Sequence, residues 1–162
     1  MNNKTILDQL NNKFEASILF TEVPDGILTV TISSDSVKSV IEYLKKNLGF
    51  NFLTDICGIH YPDKELSLGV IYHLHNFEEN FRLRLKAYVS SNNPVISSMT
   101  GLFPAADWME RETFDFYGII FKDHPNLKRI LNVEYLDYFP MRKEYPLEDP
   151  TRHDKDDRFF GR

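Results

Sequence analysis

The chain has 162 residues, 42% of them hydrophobic and 14% aromatic, with seven glycines and a formal charge of −5. That is enough apolar chain for one domain with a real core, and the acidic balance excludes the concentrated basic footprint that nucleic acid requires. Its single cysteine, Cys57, excludes a disulfide framework, a thiolate zinc cage or an iron–sulfur cluster held by this chain alone, and fits a reducing compartment.

The opening "MNNKTILDQLNNKF" is polar with an acid interspersed, unlike a signal or transit peptide, and no apolar run approaches the ~20 residues that span a bilayer. Membrane association is therefore expected only through partners. Ile6, Leu10 and Phe14 at helical spacing predict a short first helix, and the β-branched "ILTVTIS" (Ile27–Ser33) predicts a strand. Val37, Val40, Ile41, Leu44 and Leu48 form one apolar helical stripe, with Asp35 placed to cap its start and Gly49 its end. "NFLTDICGIH" (Asn51–His60) predicts a second strand. Leu66 to Leu74 and Phe81 to Val89 then alternate as a hairpin joined by "NFEEN" (Asn76–Asn80). The alternating Arg82, Arg84 and Lys86 read as its solvated face. Asn93-Pro94 resembles a helix start.

A last helix opens at Phe103-Pro104 and closes at Gly118. Ala106, Met109, Thr113, Phe116 and Tyr117 share its mostly apolar side, while Trp108, Arg111, Glu112 and Asp115 share a mostly charged one. The expected fold is α+β, with helices on one face of a mainly antiparallel four-stranded sheet over residues 1–118. Residues 119–162 then form a long extended arm. Pro125, Pro140, Pro146 and Pro150 break regular structure there, and nine Lys/Arg balance nine Asp/Glu. Phe121, Tyr135, Tyr138, Phe139, Tyr145, Phe159 and Phe160 make it too aromatic for a disordered tail. Apolar anchors between prolines suit a segment laid across another protein.

Chemical readings are weak by comparison. Glu110 and Glu112 lie about 200° apart around a helix and cannot share a substrate. Glu112 and Asp115 can face the same way, but the neighbouring Arg111 would hold both ionised, against a general-acid role. His124 precedes Pro125 in a turn, where a lone histidine is more often structural. A zinc site from His73, His75, His60 and Cys57 lacks supporting spacing, Cys57 reads as a core strand residue, and His153 reads as solvated. No nucleophile elbow or glycine-rich phosphate loop is present.

"ERE", two residues, "DFY", six residues, "H", three residues and "K", followed by "IL", occupy Glu110, Arg111, Glu112, Asp115, Phe116, Tyr117, His124, Lys128, Ile130 and Leu131. With "FPMRKEYPLED" (Phe139–Asp149) downstream, this pattern resembles the signature of the 30-kDa or C subunit of proton-pumping NADH:quinone oxidoreductase (respiratory complex I). Tyr138 and Phe139 stand where many members carry glycine and often histidine. The resemblance implies a non-catalytic peripheral component without a flavin, cluster, metal or catalytic residue of its own, in a complex that carries FMN, iron–sulfur clusters and quinone. It implies packing against the D and B subunits at the cytoplasmic face of the bacterial inner membrane. Glu110, Arg111, Glu112, Asp115, Phe116 and Tyr117 would fix the helix end and adjoining contacts, and His124, Pro125, Lys128 and Arg129 would order the following segment. Pro140, Arg142, Lys143, Tyr145 and Pro146 would dock, with Arg142 and Lys143 pairing acids on the D subunit. Two alternatives are the equivalent component of a related hydrogenase or coenzyme-dehydrogenase complex, and an independent small hydrolase using Glu112, Asp115 and His124.

Overall fold

The computed structural model describes residues 2–145. The sequence expectations for Pro146 and for residues 147–162 lie outside the described residues.

Asn2 caps the first helix, α1 (Asn3–Phe14), its side chain accepting from the Thr5 N–H at 2.8 Å. Ile6 and Leu10 are its buried residues. Strand β1 (Ile18–Glu22) leads to β2 (Leu28–Ile32), and α2 (Val37–Leu48) buries all five residues of its apolar stripe. Gly49 ends α2 in the left-handed region at φ 70°, where glycine carries no side-chain penalty. Ser36 rather than Asp35 stands at the cap, because residues 34–36 form a separate tight turn. Strands β3 (Phe52–His60), β4 (Leu68–Asn76) and β5 (Phe81–Val89) follow as a meander.

The main sheet has five strands in the order β1-β2-β5-β4-β3, and it is mixed rather than four-stranded. The chain crosses from β2 through α2 to the far edge, then returns by two reversals. β2 therefore lies parallel to β5, while the other neighbours are antiparallel. The extra strand is β1, whose exposed Leu19 and Phe20 flank a bulge and leave no alternation to read. The Asn93-Pro94 segment starts a strand instead of a helix. β6 (Val95–Ser97), with two β-branched residues, pairs in parallel with β7 (Ile120–Lys122) across the last helix. Ile119 and Phe121, at the start of the arm, are buried in the core.

That last helix, α3 (Ala106–Tyr117), lies along β3 with the Tyr117 ring over Gly58. A Cβ at Gly58 would sit 2.3 Å from a Tyr117 ring carbon. Gly58→Ala is therefore expected to cost about 1–3 kcal/mol, read as a lower urea midpoint with an unchanged slope. The expected charged side of α3 is only partly exposed, with Trp108 and Glu112 outside but Arg111 and Asp115 buried. Glu110 is buried too, with Ala106 and Thr113.

Candidate functional site: the end of α3 and the arm it holds

The last carbonyls of a helix have no partner within the helix and must find one elsewhere. At the end of α3 the arm supplies most of them. Gly118, at φ 74°, donates its N–H to Phe114 O at 2.8 Å. Arg129 Nη1 donates to Asp115 O at 2.9 Å, Met141 N–H to Phe116 O at 3.2 Å, and Arg142 Nε to Tyr117 O at 2.8 Å. Two guanidinium groups thus sit at the negative end of the helix dipole. The Phe139 ring packs directly on Gly118, with Arg129 5.1 Å and Arg142 4.8 Å from its centroid. Phe139 is therefore the cover of the helix cap.

Asp115 is the centre of this junction. Its fully buried carboxylate pairs with Arg129 Nη1 at 2.8 Å and accepts the backbone N–H groups of Ile130, Leu131 and Asn132 at 3.1, 2.8 and 2.9 Å. The Asn132 side-chain amide adds a bond at 3.1 Å. Burial alone would raise this carboxyl. The N–H groups of residues 130–132 and the Arg129 guanidinium outweigh burial and hold it well below the usual carboxylate range. Arg129 Nη2 reaches on to Leu136 O and Tyr138 O at 2.8 and 3.1 Å. Arg111, stacked over Trp108 at 4.8 Å, donates to Lys128 O and Arg129 O, both at 3.3 Å. One acid and three arginines therefore fold the first part of the arm back onto its own helix.

Glu110 serves the opposite end of the helix. Its Oε1 accepts the Met99 N–H at 2.6 Å, fixing the loop before α3, while its Oε2 has no partner. Burial pushes its carboxyl up to about 7, against the Met99 N–H and the nearby Ser98 hydroxyl, which favour the charged form. His124, with its side chain fully buried, bonds Asp107 O through Nε2 at 3.1 Å and accepts the Asn126 N–H through Nδ1 at 3.0 Å, so the proton resides on Nε2. Pro125 is exposed in that turn, and Lys128 offers its side chain to solvent. Lys143 is likewise exposed, while its N–H donates to His60 Nδ1 at 2.9 Å, tying the arm to β3. The Tyr145 ring lies 4.9 Å from that of Tyr138, and Pro140 is half-buried.

The three groups of the hydrolase alternative do not converge. Asp115 is saturated by donors, and His124 bonds residue 107, about 12 Å along the helix axis from residue 115. Glu112 is exposed on a third side. The postulated zinc set is divided as well: Cys57 and His73 share a sheet face, but His60 faces the other and is occupied by Lys143. Arg111, expected to hold Glu112 and Asp115 ionised, reaches backbone carbonyls instead, and Arg129 is the guanidinium that holds Asp115 charged. Asn132, Phe139, Met141 and His60 are functional parts of the junction that sequence reasoning missed. Their contacts with the body, at Asp115, Gly118 and Phe116 and between His60 and Lys143, span 17 or more residues, beyond any periodic signal.

The family model described as "Respiratory-chain NADH dehydrogenase, 30 Kd subunit" matches residues 30–151. The C subunit of NADH-quinone oxidoreductase from Geotalea uraniireducens (strain Rf4) is 36% identical over 151 residues, covering 93% of this chain and 92% of its own. That of Roseiflexus sp. (strain RS-1) is 40% identical over 149 residues, covering 91% and 86%. Among solved structures, the trypsin-resistant fragment (1-134) of Nqo5 superposes with a TM-score of 0.69 at 28% identity, over 78% of this chain and 100% of that one. A chain of the membrane-bound sulfane sulfur reductase, an archaeal respiratory membrane complex, shares the fold at a TM-score of 0.75 and 20% identity, over 89% and 85%. With a family model matching residues 30–151 and relatives at 36–40% identity spanning most of its length, the chain belongs to the family of the respiratory-chain NADH dehydrogenase 30-kDa subunit, the C subunit of NADH-quinone oxidoreductase.

Proposed function

We propose that this chain is a non-catalytic brace in the peripheral arm of a proton-pumping NADH:quinone oxidoreductase, holding the quinone-site D and B subunits at the cytoplasmic face of the membrane. Electrons pass from NADH through FMN and iron–sulfur clusters on other subunits to quinone, and fixed distances between those centres are what a rigid neighbour protects. The carrying observation is the two-sidedness of the arm. Asp115, Arg111, Arg129, Arg142 and Phe139 fasten its back to the body. Its front leaves Leu131 66% and Tyr135 87% exposed, with Val133, Met141 and Tyr145 also exposed. Large apolar side chains held out by a rigid support are the material of an interface core. Arg142 is engaged within its own chain, so among the described residues of the arm the exposed cations left to meet acids on the D subunit are Lys122, Lys128 and Lys143.

Leu131→Ser combined with Tyr135→Ser tests this reading, since neither side chain supports the fold. The double variant is expected to unfold at the wild-type temperature when isolated, yet to be recovered with the detergent-solubilised complex at least about tenfold less. Recovery at the wild-type level, with normal quinone reductase activity, would refute it.

A further inference from the structure

The outer edge of β3 adjoins a groove that the junction just described does not use. β3 is the last strand of its sheet, paired only to β4. Four consecutive residues, Asp55 to Gly58, line one wall of a groove of about 470 Å³. Phe116 and Tyr117 of α3 line the opposite wall with Glu112, and Met141 of the arm closes on it. Asp55 and Glu112 make no hydrogen bond or ion pair among the described residues. Both act on the same thiol: burial first, then Asp55, pushes Cys57 up, Arg84 opposes, and Glu112 adds to the rise. Asp55 lies opposite His73 in the strand register, with Arg84 beyond it, but neither acid has an ion-pair partner among the described residues, and the strand edge beside them is open to another chain.

We infer that this groove receives an extended segment of a neighbouring protein in the complex that carries a lysine or arginine. The segment pairs its backbone with the β3 edge, lays the apolar stem of the basic side chain against Phe116 and Met141, and sets the cationic head between Asp55 and Glu112. Strand-edge backbone along consecutive residues favours a polypeptide. The two acids specify its charge, and Met141 makes the groove continuous with the exposed apolar row of the arm. The chain's own residues 146–162 are a poorer fit, with four Lys/Arg against five Asp/Glu. This inference rests on the proposed membership of a larger assembly.

Because Cys57 is the only cysteine of the chain, it can report on the groove directly. The full-length protein, labelled at Cys57 with a photoactivatable maleimide, is incorporated into the native complex, irradiated and mapped by mass spectrometry. A cross-link to another protein of the complex, close to a lysine or arginine, is the expected result. Cys57 of the unlabelled complex should also react with N-ethylmaleimide at least about tenfold more slowly than in the free protein. Asp55→Asn with Glu112→Gln, both conservative in size, should weaken retention about tenfold and release the chain at lower salt. A cross-link confined to residues 146–162, unchanged thiol reactivity, or unchanged salt release would overturn the inference while leaving the brace in place. A chain that never co-purifies with the complex would overturn both.

Discussion

Asp115→Asn is expected to be the most damaging single-atom exchange in the molecule. The amide keeps the size of the carboxylate but loses its charge, and it turns an –NH2 group toward N–H donors that have no other acceptor. Arg129 would lose its partner in a site where Asp115 is fully buried. Removing one member of a buried ion pair costs about 3–5 kcal/mol, which for a chain of this size lowers the melting temperature by roughly 10 °C. The pH dependence follows the same physics. A carboxyl held below its ordinary range contributes stability above that range, lost as pH falls through and below it. Trypsin should reveal where the damage lies, because Lys128 and Arg129 follow the body directly: cleavage there should accelerate before global unfolding. A variant that melts within about 1 °C of wild type and resists trypsin equally would show that the carboxylate does not hold the arm.

Glu110→Gln is expected to act in the opposite direction. The Glu110 carboxyl is raised from 4.5 to about 7 by burial, so the folded chain retains a proton that the unfolded chain releases. Wild-type stability should therefore fall as pH rises from about 4.5 to about 7 and level off above, a loss of up to about 3 kcal/mol. A neutral amide can still accept from the Met99 N–H and carries no such cost. Chemical denaturation of the variant should give nearly level stability from pH 5 to 8 and a gain over wild type at pH 8. The buried Tyr72 hydroxyl has no partner either; burial and the Glu110 charge both push it well up. It should therefore stay protonated throughout that range. Parallel pH profiles for the two proteins would contradict this placement of the proton.

Much of the fold was legible where a periodic face is buried. The α2 stripe, the β4–β5 alternation and Gly118 as the end of α3 all follow from local spacing and backbone freedom. β1 was hidden because its outward residues are apolar, so hydrophobicity does not alternate. β6 was hidden behind a proline signal that reads equally as a turn into a strand. The charged face of α3 misled most, for charge ordinarily marks solvent. Here Glu110, Arg111 and Asp115 are buried because each satisfies backbone groups that the chain folds over them. The resemblance set Arg142 against a neighbouring subunit, whereas its guanidinium serves its own helix. Asn132 and Phe139 meet α3 only through tertiary folding, which no spacing along the chain encodes.

The division of the arm into a fastened back and a docking front can be measured by hydroxyl-radical footprinting of the free protein and of the same chain in its native complex. Tyr135 should be oxidised rapidly in the free protein and protected at least about tenfold after assembly, with Leu131 and Met141 following it and buried Tyr72 silent in both states. Equal reactivity of Tyr135 in the two states would mean that the exposed front meets no neighbour, and the brace would lose its basis.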